Sequence, residues 1–134
     1  MLKTYLIDDD NLALFLARHL LQAESFASSI CAFQSAEEAL AALLADRQEA
    51  LPEIIFLDLN MPLMNGWQFL EALAPYEHEL RGRCHIYILT SSLALCDLEK
   101  STHYQLVEGL IHKPLDRGEL LAIRAKLESS APLA

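Results

Sequence analysis

Short apolar runs, each ending abruptly at a polar residue, alternate along this chain with longer stretches of helical spacing. Thr4–Ile7 stops at Asp8-Asp9-Asp10, Ile54–Leu57 at Asp58, and Ile86–Leu89 at Thr90, while Val107–Ile111 leads into Lys113-Pro114. Runs this short read as strands, and continuous rather than alternating apolar character marks strands covered on both faces. Ser28–Phe33 alternates more loosely and reads as an edge strand. Between the runs lie Leu12–Gln22, Ala36–Ala45, Trp67–Leu73, Leu95–Tyr104 and Glu119–Leu127. These carry strong helix formers, with Ser35 and Asp116 placed as N-caps and Gly66 at the entry to the third. Five strands alternating with five helices predict an α/β fold, a doubly wound parallel sheet. Its ligand site is then expected outside the carboxyl ends of the strands.

At 134 residues the chain fits one domain, and 53 % hydrophobic residues are enough to fill its core. We expect that domain over residues 1–128, with 129–134 as a short frayed tail and no output domain. No apolar run approaches the length of a membrane span, and no signal peptide is visible, so a cytoplasmic protein with no membrane contact is expected. A net charge of −9 disfavours nucleic acid, whose binding depends on Lys and Arg neutralising phosphates. Cys31, Cys84 and Cys96 form no CxxC pair and read as free thiols.

The polar residues at the run ends share one chemistry. In a parallel sheet those ends lie on one edge, so Asp8, Asp9, Asp58, Thr90 and Lys113 converge from distant parts of the chain. Carboxylates crowded together repel unless something neutralises them. A hard divalent cation does so with oxygen ligands. Lysine adds a compact positive charge, and a threonine hydroxyl donates to a phosphoryl oxygen. Phosphoryl transfer requires mainly such positioning and neutralisation, with Asp58 as the nucleophile. Taken singly, each residue has a plainer reading: acidic residues after strands cap helices, and a lysine before proline sits on the surface. The joint pattern is what points to phosphoryl chemistry.

Asp8-Asp9, the segment Asp58-Leu59-Asn60-Met61-Pro62 followed by Gly66, Leu89-Thr90-Ser91-Ser92 and Lys113-Pro114 together resemble the response-regulator receiver domain. The similarity runs over roughly residues 2–128. It implies a flavodoxin-like sheet of strand order 2-1-3-4-5. It also implies Asp58 as phosphoacceptor, and Mg²⁺ (or Mn²⁺) held by Asp8, Asp9, Asp58 and the backbone carbonyl of Asn60. Thr90, Ser91 and Lys113 would serve as the phosphoryl-binding and switch residues, with a cis bond before Pro114. The implied role is a two-component or phosphorelay regulator that catalyses only its own phosphorylation and dephosphorylation. Its partners would be a histidine kinase or histidine phosphotransfer protein and a downstream protein target, with the chain itself a monomer or weak dimer.

The resemblance breaks at Leu110, where the family usually places an aromatic ring that turns inward on activation. Output is then expected to travel through backbone and helix shifts. In the first helix, Leu12, Phe15, Leu16 and Leu20 form one apolar stripe, and Leu14 and Leu21 a second face. That second face reads either as packing against the last helix or as a docking surface for the phosphodonor. His112 and Trp67 read as structural. Two rival functions remain: a Mg²⁺-dependent aspartyl-phosphate phosphatase and a degenerate receiver acting as a scaffold. The first lacks its second aspartate, because Asn60 stands two residues after Asp58. The second has only Leu110 in its favour.

Overall fold

A computed structural model describes residues 3–46, 50–91 and 95–130. Five parallel strands, β1 (Lys3–Ile7), β2 (Ser29–Phe33), β3 (Ile54–Asp58), β4 (His85–Thr90) and β5 (Val107–His112), form one sheet in the order β2-β1-β3-β4-β5. The helices of the alternation are α1 (Asn11–Ala23), α2 (Ala36–Asp46), α3 (Gly66–Leu73), α5 (Leu95–Ser101) and α6 (Arg117–Ser130). A 3-10 turn (Ala74–Tyr76) and the single-turn α4 (Glu77–Leu80) prolong α3. The sequence pattern did not announce that extension, which Pro75 opens at the start of the 3-10 turn.

The sheet is covered on both sides. Leu14 and Leu21 of α1 and Leu120 and Ile123 of α6 bury one face with Leu6, Phe56 and other strand residues. On the opposite face α2, α3 and α4 pack Leu43, Phe69, Leu73 and Leu80 against Tyr5, Ile7, Ile55, Leu57 and Ile88. Every residue of β3 is buried, the central-strand pattern that its unbroken apolar run implies. β2 pairs only with β1 and stays partly exposed, as an edge strand does.

Of the two readings of the second face of α1, internal packing holds, and one helix end needs correction. Leu12, Phe15 and Leu16 of the stripe are 64 %, 65 % and 53 % exposed. It is Leu14 and Leu21 that are buried, in the core that α1 shares with α6. The second face therefore packs internally, and the first carries the exposed apolar surface. The fourth helix of the alternation, α5, ends at Ser101 rather than Tyr104. Ser101 Oγ donates back to Leu98 O at 2.7 Å and Thr102 Oγ1 to Glu99 O at 2.6 Å, local bonds that compete with the helical ladder. The expected tail begins inside α6, which continues to Ser130, while residues 131–134 and Ser92 lie outside the described residues.

Candidate functional site

Register aligns the strand ends. Ile7 stands opposite Leu57, and Leu57 opposite Ile88, so Asp8 and Asp58 occupy the next row together. Asp58 itself stands opposite Leu89, and Thr90 opposite His112 one row further out. Lys113 follows β5 directly. The chain order places this rim where the connections from β1 diverge, outward to β2 and back to β3, which is where open α/β sheets form their crevice.

Side chains meet there as the spacing predicts. Lys113 Nζ donates to Asp8 Oδ2 at 2.7 Å and lies 3.1 Å from Asp58 Oδ1. One carboxylate oxygen each from Asp8, Asp9 and Asp58 falls within 4.8 Å of the others. Asp8 and Asp58 are only 6 % exposed, whereas Asp9 faces solvent. Asp8 is aimed by its neighbours: its N–H donates to Phe33 O at 3.0 Å, and its Oδ1 accepts from the Asp10 N–H at 3.0 Å. Asp10 in turn caps α1, accepting from the Leu12 N–H at 2.9 Å. Sequence reasoning singled out Asp8 and Asp9 and gave capping as a general alternative, but did not assign the cap to Asp10. Asp two residues before the first helical leucine was the available cue.

Burial and the Asp8 charge push the Asp58 carboxyl above its ordinary range, and Lys113 pulls against them. For Lys113, burial works against the ammonium, but bonds to Asp8 and Asp58 outweigh it and hold the group above the usual lysine value. One ammonium thus serves two buried carboxylates, with a third carboxylate at the rim. This donor set fits a small hard cation, which takes oxygen ligands and relieves the remaining negative charge.

The other predicted residues take distinct places. Thr90 is buried at the end of β4, and its carbonyl accepts from the Lys113 N–H at 2.8 Å. Ser91 and Asn60 are exposed beside their strand ends. The Lys113–Pro114 peptide bond is cis. Leu110 is not part of the cluster: it stands opposite Ile88 and packs partly buried against the α2–α3 core.

A second support was not foreseen in full. Gly66 opens α3 hard against the end of β3, with its N–H donating to Leu59 O at 3.0 Å. A Cβ there would lie 2.7 Å from Asp58 O and 2.9 Å from Leu59 Cα, so only glycine fits. Asn65 and Gln68 close a capping box over the same turn, each side chain bonding the other's backbone N–H at 2.9 Å. The Asn-x-x-Gln spacing before an apolar helix signals it.

Comparison with known proteins agrees with this geometry. A profile of the response regulator receiver domain matches residues 5–125, and the chain belongs to that family. A two-component response regulator from Cytophaga hutchinsonii superposes with a TM-score of 0.86 at 27 % identity, over 96 % of this chain and 97 % of that one. A response regulator receiver protein from Dyadobacter fermentans gives 0.82 at 25 % identity, covering 96 % and 98 %. A two-component response regulator from Legionella pneumophila gives 0.77 at 25 %, covering 96 % and 99 %. No protein of curated function matches the sequence.

Proposed function

We propose that this receiver domain is a phosphorylatable switch of a two-component or phosphorelay system, with Asp58 as its phosphoacceptor. The observation that supports this most is the contact of Lys113 with both Asp8 and Asp58 at the aligned ends of the strands. Asp8, Asp9, Asp58 and the backbone carbonyl of Asn60 would hold Mg²⁺ or Mn²⁺, which supplies charge neutralisation for an incoming phosphoryl group.

In this reading an Asp58 carboxylate oxygen attacks the phosphorus of a phosphohistidine. The phosphorus–nitrogen bond breaks, and the imidazole leaves with its electron pair and takes up a proton from solvent. Lys113 stays paired with the growing negative charge, and the Thr90 hydroxyl donates to a phosphoryl oxygen. Ser91, small and exposed, leaves the approach to Asp58 open. Water later attacks the phosphorus of the acyl phosphate, the phosphorus–oxygen bond to Asp58 breaks, and inorganic phosphate leaves as the carboxylate is restored. The chain thus acts on its own side chain and turns over no external substrate.

The donor is a histidine kinase or a histidine phosphotransfer protein. Its docking surface is the exposed face of α1, where Leu12 and Leu16 border a groove of about 300 Å³ that Ala13, Pro114 and Leu115 also line. This groove reaches Asp8 and Lys113, so a partner seated in it is placed beside the reacting groups. The signal passes to a downstream protein, and a cytoplasmic location suits that role. Among the described residues no helix is long and apolar enough to cross a membrane.

Intact-mass measurement after incubation with acetyl phosphate and Mg²⁺ tests the reading. Wild-type protein gains one phosphoryl group, and Asp58→Ala or omission of the metal abolishes the gain. An equal gain in Asp58→Ala would refute Asp58 as the acceptor. Steady release of phosphate from simple phosphate esters would favour the phosphatase alternative instead.

A further inference from the structure

The two edges of the sheet are built differently. On β5, Glu108 pairs with His85 of β4, Oε1 to Nδ1 at 2.9 Å, and with Lys126 of α6, Oε2 to Nζ at 3.3 Å. The pairing of β5 with β4 is also interrupted by a register shift at Ile86 and Tyr87. Charged side chains and irregular register are what keep a sheet edge from pairing with another chain. The β2 strand has neither. Residues 27–35 include no charged residue, no proline and no glycine. β2 pairs with β1 in unbroken register, and among the described residues no strand covers its other side.

Strand geometry decides which groups this edge presents. Phe33 O accepts from the Asp8 N–H, so Phe33 directs its backbone inward to β1. Successive residues of a strand direct their backbone groups to opposite sides, so Ile30 and Ala32 point theirs outward. Arg18 of α1 reaches over the edge in agreement, its Nη2 donating to Ile30 O at 3.1 Å. Ala32 is exposed, and Ile30, Cys31 and Phe33 are half-buried.

We propose that β2 is the docking edge for a second copy of this chain, the two strands pairing antiparallel about a two-fold axis through Cys31. In that register Ile30 of each copy exchanges backbone bonds with Ala32 of the other. Phe33 lies opposite Ser29 and Cys31 opposite itself, so no pair sets like charges against each other. Charge argues for this occupant. A chain of net charge −9 repels its own copies, and residues 27–35 let two copies meet without adding to that repulsion. A two-fold contact also needs a self-complementary patch, which an uncharged strand edge supplies. The contact is small, which makes the dimer weak and concentration-dependent. Arg18 weakens it further, because the Ile30 carbonyl that it holds is the acceptor for Ala32 of the second copy. The pairing is independent of the chemistry at Asp58.

Sedimentation velocity under reducing conditions, from about 10 µM to about 1 mM protein, tests the pairing. The wild type should shift from monomer towards dimer as concentration rises. Arg18→Ala should dimerise about three- to tenfold more tightly, the worth of one hydrogen bond. Ala32→Lys sets an ammonium on the edge and should loosen the dimer about tenfold or more. Arg18 and Ala32 are both exposed, so neither variant disturbs the core. On oxidation with diamide, which accepts the two thiol hydrogens, Cys31 should cross-link to Cys31 of the second copy. In this register their Cα atoms stand about 4.5 Å apart, within the range of about 4.4–6.8 Å that a disulfide spans. The cross-link should vanish in Cys31→Ser and persist in Cys96→Ser. Wild type and Arg18→Ala that both stay monomeric would overturn self-pairing and leave the edge to a strand of another protein. A dimer that Ala32→Lys leaves intact, or that cross-links through Cys96 alone, would place the contact elsewhere and overturn it too.

Discussion

Asp58 is pulled in two directions. Burial and the neighbouring Asp8 favour its neutral form, while Lys113 favours the carboxylate, and the balance leaves its affinity for a proton above the ordinary value of 3.8. Between that value and its raised folded one, the native state binds more protons than the unfolded chain. Stability contributed by this group is therefore present at low pH and lost as pH rises through the window. Asp58→Asn removes the charge, so without divalent metal the variant should be more stable than wild type at neutral pH. The two urea-denaturation curves should converge as pH falls towards the ordinary carboxylate range; a gap that persists there would show that the charge is not its cause. Gly66 supports the same residue from behind. Gly66→Ala forces a methyl group into backbone atoms that cannot give way, and a loss of about 1–3 kcal/mol in thermal or urea denaturation is expected. Asp8, Asp58 and Lys113 were readable from sequence because each ends or follows an apolar run. The bond of Asp10 to Asp8 and the contact of Gly66 with β3 were less so, because they depend on how two segments abut in space.

Among the elements, α1 separates what sequence can and cannot say. Leu12, Leu14, Phe15, Leu16, Leu20 and Leu21 give a helix apolar around most of its circumference, so periodicity alone does not choose the inner face. The choice is made by neighbours. α6 presents Leu120 and Ile123, the sheet presents Leu6 and Phe56, and Leu14 and Leu21 complete that core. Arg117 and Arg124 fasten the two helices further, the first by an ion pair with Glu24 at 3.0 Å and the second by bonds to the carbonyls of Glu24 and Ser25. Leu12 and Leu16 line the groove beside the site and Phe15 stays exposed on the same helix, so the docking role first weighed for Leu14 and Leu21 falls to this surface. Phe15→Glu should therefore slow phosphoryl transfer from a protein donor about tenfold or more while leaving the acetyl phosphate reaction unchanged. Leu14→Glu should instead lower stability by several kcal/mol, since it buries a carboxylate with no partner. Equal losses with both donors in Phe15→Glu, at unchanged stability, would remove α1 as the docking face. The end of α5 was misjudged for a different reason: Ser101 and Thr102 turn their hydroxyls back on the helix, a local competition that apolar spacing does not register.

For the whole molecule, strand count, parallel pairing and the central burial of β3 followed from apolar runs that lacked alternation. Strand order came from the family resemblance, since periodicity carries no information on which strand lies beside which. The site is a product of that order. Only with β1 beside β3 and β3 beside β4 do Asp8, Asp58 and Thr90 reach one rim, within range of a lysine over a hundred residues along the chain from Asp8. Strong mutual repulsion at this rim is what a bound cation and a phosphoryl group would jointly turn to use. The most direct test is to trap the acyl phosphate itself. Protein treated with acetyl phosphate and Mg²⁺ is reduced with borohydride, which converts a phosphorylated aspartate to homoserine, and the modified peptide is then sequenced by mass spectrometry. The account predicts homoserine at position 58 alone, and only when metal is present. Homoserine at position 8 or 9, or none anywhere under conditions where phosphoryl groups are incorporated, would contradict it.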